Sequence, residues 1–166
     1  MAARGKPARR FSDEHRAKFF AHLDSLPAKD RPVFAFSGQK PSLTQWLGGG
    51  TRYVVVVLFP DHVVLSTRDL TSTREIGRES RLLGEVESVT VTPGTLMARA
   101  TLRFVGGATL TLANVSRAEA EPLARFDTAG LAAFDRSALA PDTVAAFFVA
   151  CSQALSLPDG LFSEPD

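Results

Sequence analysis

The stretch RYVVVVLFPDHVVLST, residues 52–67, carries the strongest structural signal in the sequence. Two runs of β-branched and apolar residues flank Pro60-Asp61, a pair typical of tight turns. The stretch therefore predicts two antiparallel strands, Arg52 to Phe59 and His62 to Thr67. Valine fills residues 54–57 and so lies on both faces of the first strand. This predicts a strand covered on both sides, or one inside a barrel.

A second hairpin is predicted in ARATLRFVGGATLTLAN, residues 98–114. A two-residue Gly-Gly loop would pair apolar with polar residues and mix the two faces of the hairpin. A three-residue loop, Val105-Gly106-Gly107, instead sets Phe104 opposite Ala108 and keeps the apolar residues together. We therefore expect the three-residue loop, with one glycine in the left-handed conformation of a bulged turn.

Other segments have weaker β character. PVFAFS, residues 32–37, reads as a short strand, and residues 82–91 as a further strand in which Gly84 marks a bulge or bend. The polar run at residues 68–80 is predicted to be a loop with at most one exposed edge strand. Thr92-Pro93-Gly94-Thr95 has proline and glycine at the positions that a type II turn favours.

Three segments have helical periodicity. Residues 13–26 are amphipathic and begin with acidic residues, which suit the positive end of the helix dipole. Residues 116–125 are helix-prone, with Pro122 either at the start of the helix or at a bend. The clearest pattern covers residues 141–155, with a proline in the first turn and apolar residues along one face.

The helix predicted at residues 141–155 is unusually apolar, because residues 144–150 are apolar without interruption. Either both faces are buried within the chain, or one face meets a partner protein or a second copy. Its candidate partner-binding residues are Val144, Phe147, Phe148 and Leu155.

Three stretches together carry a resemblance to a known family. They are VVLFPDHVVLSTRD at residues 56–69, EVESVTVTPG at residues 85–94 and ATLRFVGGATLTLANVSRAEA at residues 100–120. Their order of strand, turn, strand, glycine turn and helix entry resembles pleckstrin-homology-like (PH-like) domains, specifically the bacterial PH-like and GRAM-type domains.

The resemblance implies an α+β fold, in which a PH-like antiparallel β-barrel or sandwich has an N-terminal helix and C-terminal helices. The expected divisions of the chain are a basic flexible tail (1–10), an N-terminal amphipathic helix (11–27), the PH-like β domain (32–126), a C-terminal helical segment (127–157) and a frayed tail (158–166).

PH-like domains are binding modules, and the resemblance implies sites for a ligand. Many hold phosphoinositide headgroups with a lysine before the first long loop and two alternating basic residues on the next strand. Lys40 and Arg52 match this pattern, but Val54 stands at the second basic position of the strand, which argues against lipid binding. The candidate ligand-binding residues are Lys40, Trp46, Arg52, Arg99 and Arg103.

Arg99 and Arg103 alternate with Thr101 on one strand face. Further arginines lie in the polar segment upstream, at Arg74, Arg78 and Arg81. If the two segments pair, they form a basic patch for an acidic protein or a phosphate-bearing ligand. The alternative is a solvated face on which glutamates balance the arginines.

Motifs for catalysis or metal binding are incomplete. The glycines at 48–50 precede a strand and lack a following Lys-Ser/Thr, so they form a flexible loop and not a phosphate cradle. His15 and His22 share a helix face but have no third ligand nearby in sequence. Glu85 and Glu87 would share a strand face, where a solvated edge is a simpler interpretation than an acid pair. We expect no enzymatic activity, no cofactor and no metal site.

The charge of the first ten residues is purely basic: they hold four of the 19 basic residues and none of the 18 acidic residues. Such a chain is not a globally basic nucleic-acid binder. Cys151 is the only cysteine, so no intrachain disulfide forms, and its apolar neighbours predict a buried thiol. The first residues lack an apolar h-region, so no signal peptide is predicted, and no apolar run reaches the ~20 residues of a membrane span. A cytoplasmic location is predicted.

These features predict a non-enzymatic PH-like module that acts as an interaction or assembly adaptor, with a protein partner or a second copy. The alternative is peripheral binding to an anionic membrane surface through the basic tail and the glycine-rich loop. At about 1 kcal/mol per basic residue, that attachment would be weak and sensitive to salt.

Overall fold

The computed structural model describes residues 13–40, 52–69, 74–125, 139–155 and 157. The predicted basic tail, Trp46, the triglycine and the frayed tail lie outside these residues. The helices are α1 (Asp13–Ser25), α2 (Arg117–Ala124) and α3 (Pro141–Ala154). The strands are β1 (Phe34–Gln39), β2 (Arg52–Leu58), β3 (His62–Asp69), β4 (Glu75–Leu82), β5 (Val86–Thr92), β6 (Ala98–Phe104) and β7 (Thr109–Val115).

The strands form one antiparallel sheet in the order β4-β3-β2-β1-β7-β6-β5. Within the described residues β4 and β5 are the two edges and do not pair with each other, so the sheet stays open. The predicted α+β class, with one helix before the sheet and helices after it, is confirmed. The strand order is consistent with the PH-like arrangement, although the sheet does not close into the predicted barrel within the described residues.

β2 and β3 form the tight hairpin predicted from residues 52–67. Phe59 donates its N–H to the carbonyl of His62 at 2.8 Å, around the Pro60-Asp61 turn. Val54 to Val57 are all buried. Both faces of β2 are therefore covered, as the valine run predicts, and α3 supplies part of that cover.

The β6–β7 hairpin has the predicted three-residue loop. Phe104 donates its N–H to the carbonyl of Ala108 at 2.8 Å, which closes the loop over residues 105–107. Gly106 and Gly107 have φ angles of 98° and 91°. Two glycines, and not one as predicted, therefore occupy a backbone region that L-residues with a Cβ rarely enter.

The strand predicted at residues 82–91 is confirmed for residues 86–91, and the predicted bend at Gly84 is present, but the bend separates two strands instead of lying within one. β4 ends at Leu82, and residues 83–85 form a 3-10 turn before β5 begins. Leu83 is buried and donates its N–H to the carbonyl of Asp61 at 2.9 Å. This contact bends the chain beside the β2–β3 turn. The next strand, β5, then lies at the opposite edge of the sheet.

The predicted type II turn after β5 is wrong. That turn needs a positive φ at Gly94, and among the described glycines only Gly106 and Gly107 have one. Gly94 instead allows the backbone of Met97 to pass close to it, since an added Cβ would lie 2.2 Å from the carbonyl oxygen of Met97.

α1 and α3 pack together through aromatic rings. The Phe147 ring centroid lies 5.3 Å from that of Phe19 in an edge arrangement, and 5.6 Å from that of Phe34. All three side chains are fully buried. The first helix therefore completes the cover of α3, which is why so apolar a helix fits within this chain.

α2 continues past Pro122 because its missing hydrogen bond is replaced from outside. Proline has no N–H for the carbonyl of Ala118, four residues earlier. The hydroxyl of Thr143, on α3, donates to that carbonyl at 2.7 Å and is itself buried. The proline thus lies inside the helix and not at its start, and the hydrogen bond from Thr143 joins α2 to α3.

The two halves of the sheet separate beside Ser37. β1 pairs with β7 only at Gln39 and Ala113, and an added Cβ at Gly38 would lie 2.7 Å from the Cβ of Leu112. Beyond this close contact, the Ser37 N–H donates to the Glu119 carboxylate at 3.4 Å instead of to a strand. Glu119 therefore satisfies a main-chain donor where the sheet opens.

Candidate functional site

The helix face predicted to bind a partner belongs mainly to the core. Val144 and Phe147 are fully buried, while Phe148 and Leu155 are partly buried against the core. This corrects the prediction for Val144 and Phe147, which have no exposed surface to offer a partner. The exposed apolar residue on α3 is Val149, on the opposite side of the helix.

Two arginines from the sheet hold the last turn of α3. Arg68 donates to the carbonyl of Gln153 at 2.8 Å, and Arg78 donates to the carbonyl of Ala154 at 2.5 Å. Glu75 lies within 3.4 Å of both guanidinium groups. The cations complement the negative end of the helix dipole, so Arg78 serves packing and is not part of an open basic patch.

The basic patch predicted from pairing of the segment at residues 74–81 with the strand of Arg99 and Arg103 does not form. β4 pairs with β3, whereas β6 pairs with β5 and β7. Arg99 and Arg103 are exposed on one face of β6, on either side of Thr101. The neighbouring strands add hydroxyls to that face, at Ser88, Thr90, Thr109 and Thr111. Within the described residues, this face carries arginine and hydroxyl groups but no carboxylate paired with them.

Lys40 and Arg52 are brought together at the end of the β1–β2 pair. The Lys40 N–H donates to the Arg52 carbonyl at 3.0 Å, and both side chains are exposed. Lys40 also lines a small cavity of about 220 Å³ with Arg78 and Glu79. Val54 also lines that cavity and is otherwise buried, so a core residue occupies the second basic position of the lipid-binding pattern.

An apolar groove lies between α2 and the turn that joins β5 to β6. Its volume is about 320 Å³, and Arg117 and Glu121 flank it. Arg117 also donates to the carbonyl of Thr95 at 2.6 Å, which holds the turn against the helix. The apolar lining consists of Val91, Pro93, Gly94, Met97, Ala98, Ala120 and Ala124.

This groove lies beside an unpaired strand edge and two exposed apolar side chains. β5 is an edge strand, paired only with β6 in the described part of the chain. Leu96 is 80% exposed and Met97 is 43% exposed beside the groove. Sequence reasoning missed the groove, although the apolar pair Leu96-Met97 directly after a proline-glycine turn was a signal that could have located it.

The candidate catalytic residues are not assembled. Glu85 lies in the 3-10 turn and Glu87 on β5, so they do not share a strand face as predicted. Burial raises the pKa of the Cys151 thiol well above its ordinary value, which disfavours the reactive thiolate. Among the described residues, no group of three or more His, Cys, Asp and Glu side chains is placed to hold a metal ion.

Two carboxyl groups do have perturbed pKa values. Burial raises the pKa of Glu119 to about 7, although hydrogen bonds from the Ser37 N–H and from Ser116 oppose the effect. The hydrogen bond from His62, at 2.5 Å, lowers the pKa of the exposed Asp61. The His62 ring also stacks on Phe59, 4.3 Å between centroids, so this pair stabilises the β2–β3 turn.

Comparison with known proteins identifies no family for this chain. No protein family and no characterised protein matches the sequence. Among solved structures, the chain is similar to the pleckstrin homology (PH) domain of USP37, with 17% sequence identity and a TM-score of 0.40. The match covers 59% of this chain and 95% of that one. The description of the fold as PH-like therefore rests on the observed strand order and helix positions.

None of the described helices is both long and apolar enough to cross a membrane.

Proposed function

We propose that this protein is a non-enzymatic PH-like interaction module that binds an extended segment of a partner protein along β5. The observation that carries the proposal is the apolar groove beside an unpaired strand edge. Such an edge presents main-chain N–H and C=O groups that a partner strand can satisfy. The groove beside it would receive an apolar side chain from the same segment.

The absence of enzymatic activity belongs to the proposal. It is supported by the burial of Cys151 and by the separation of Glu85 from Glu87. The adaptor role, the cytoplasmic location and the bacterial GRAM-type subclass are also proposed, and they rest on the sequence pattern alone.

The proposal is tested by selecting displayed peptides against the full chain and measuring the affinity of the selected peptide. Ala124→Phe fills the groove from its exposed rim and should weaken binding at least about tenfold, the loss of roughly 1.4 kcal/mol. Val105→Ser is the matched control, because Val105 is an exposed apolar residue in the distant β6–β7 loop. Enrichment of no peptide, or equal binding by both variants, would refute the proposal.

A second copy of the chain is a different occupant for the same edge. In that case light scattering would give a dimer that Ala124→Phe converts to a monomer. A peptide-binding monomer is the outcome that the proposal predicts.

Peripheral binding to anionic lipid is a second candidate function, favoured by the adjacent exposed side chains of Lys40 and Arg52. It predicts co-sedimentation with anionic liposomes at low salt and release as salt rises. Lys40→Glu with Arg52→Glu should abolish that binding. Persistence of binding in the double variant would exclude these two residues as the contact.

A further inference from the structure

A second cavity, separate from the groove beside β5, lies between α3 and the sheet. Its volume is about 320 Å³. Ser37 and Gln39 of β1 line one side, Tyr53 of β2 lies next to them, and Val149 and Gln153 of α3 close the opposite side. The cavity is thus formed where the last turns of α3 cross the end of the β1–β2 pair.

Tyr53 carries a buried hydroxyl without a partner. The side chain lines the cavity, the residue is only 8% exposed, and its Oη makes no hydrogen bond within the described part of the chain. A buried polar group left without a hydrogen-bond partner destabilises the fold. The fold keeps a tyrosine where phenylalanine would avoid that cost, which points to a partner beyond the described residues.

Beside it, an amide pair presents a further donor and acceptor. The Asn114 Nδ2 donates to the Gln39 Oε1 at 2.7 Å. This single bond leaves the Gln39 Nε2 as a donor and the Asn114 Oδ1 as an acceptor at the cavity wall. Asn114 has φ 54°, the one positive φ among the described non-glycine residues, and such strained positions concentrate at binding sites.

The charge of the cavity restricts what it can hold. No described charged side chain lines it. The Glu119 carboxylate accepts the N–H of the lining residue Ser37, and the Arg68 guanidinium donates to the carbonyl of the lining residue Gln153. An ionic ligand would lose hydration without gaining an opposite charge. A neutral ligand is therefore favoured, and Val149, 51% exposed, offers its apolar part a surface.

We propose that this cavity is a binding site for a neutral ligand that carries a carboxamide group. The ligand carbonyl accepts from the donors at Gln39 and Tyr53, the ligand N–H donates to Asn114, and the apolar part packs on Val149. The carboxamide comes either from a small molecule or from an asparagine or glutamine side chain of a partner protein.

The test is a titration of the isotope-labelled full chain by NMR with benzamide, and with benzoate as a charged isostere. We expect saturable, millimolar binding of benzamide, with shift changes at the residues of the cavity, and no such binding of benzoate. An acetylated and amidated Gly-Gln-Gly peptide distinguishes the two sources, because it binds more tightly than benzamide only if the site accepts a side-chain amide.

Tyr53→Phe and Asn114→Gly test the contacts. Each should weaken benzamide binding about fivefold or more, the loss of roughly one hydrogen bond, and glycine tolerates the positive φ at residue 114. Tyr53→Phe should be at least as stable as the unmodified chain, whereas a hydroxyl with a structural role would make it less stable. Ser152→Ala, on the exposed side of α3, is the control and should bind normally.

Three results would overturn the proposal: no saturable benzamide binding, equal binding of benzoate, or unchanged affinity in both Tyr53→Phe and Asn114→Gly. Tighter binding of myo-inositol than of benzamide would also overturn it, by assigning the cavity to polyols.

Discussion

Glu119 makes the stability of this protein depend on pH in an unusual direction. Its carboxyl group is buried between α2 and β1, where it accepts the Ser37 N–H. Removal from water raises its pKa from 4.5 to about 7. Between these two pH values, the folded chain holds a proton at Glu119 that the unfolded chain has released.

The sign and size of the effect follow from this difference. A raised folded-state pKa contributes stability that is complete below pH 4.5 and is lost as the pH rises through about 7. The difference between the two pKa values corresponds to about 3 kcal/mol in the free energy of unfolding. With respect to this group, the chain is therefore most stable in mild acid.

Glu119→Gln is the perturbation that isolates the effect. The amide has nearly the same shape, its oxygen can still accept the Ser37 N–H, and it does not titrate. Urea denaturation at about pH 5 and about pH 8 should give similar stabilities at the lower pH, and a variant more stable by about 3 kcal/mol at the higher pH.

Glu121→Gln is the control, because Glu121 lies on the same helix, two residues away, but is exposed. Its pH profile should parallel that of the unmodified chain. If Glu119→Gln also gives a parallel profile, the carboxyl group is not desolvated as described and the reasoning fails.

Three further outcomes are expected. Gly38→Ala should lower the free energy of unfolding by about 1–3 kcal/mol, because the added Cβ would clash with Leu112. Gly84→Ala is the control and should change this free energy little, because no atom lies near the added Cβ. Equal effects of the two substitutions in urea denaturation would contradict this prediction. Thr143→Val should lower the free energy of unfolding by about 1–2 kcal/mol, because it removes the hydroxyl that donates to the Ala118 carbonyl. An unchanged midpoint in urea denaturation would show that this hydrogen bond does not stabilise α2. Cys151 should react with a thiol reagent only as fast as the chain unfolds, and rapid labelling of the folded protein would show that it is accessible.

Much of the β structure could be predicted because local pattern and tertiary environment agree there. The valine run at residues 54–57 needs cover on both faces, and it receives that cover. The β6–β7 register could be derived because one loop length keeps apolar residues on one face, and Phe104 and Ala108 meet as that reasoning requires.

The boundary between β4 and β5 could not be predicted, because it is defined by contacts with residues distant in the sequence. β4 is an exposed edge strand rich in charged residues and without apolar alternation. The sequence therefore allowed one exposed edge strand in residues 68–80 but could not locate it. β4 ends where Leu83 becomes buried and donates a hydrogen bond to the carbonyl of Asp61. Asp61 lies in the β2–β3 hairpin, about twenty residues earlier in the chain. Neither contact leaves a periodic trace in the sequence.

The candidate sites were harder still, because each joins elements far apart in the chain. The groove needs α2 packed beside the β5–β6 turn, and the second cavity needs α3 across Tyr53. The apolar run of α3 suggested a partner-binding face, but Phe147 finds its contact in Phe19, more than a hundred residues earlier. Sequence patterns report how apolar a face is and not what covers it.

Hydrogen exchange of the full chain, with and without a selected peptide, tests the central claim most directly. Binding along the β5 edge predicts new protection at alternate amides of residues 86–92, and none along β4, the other edge strand. Protection at Lys40 and Arg52, or along α3, without any change in β5 would contradict the proposed interaction surface.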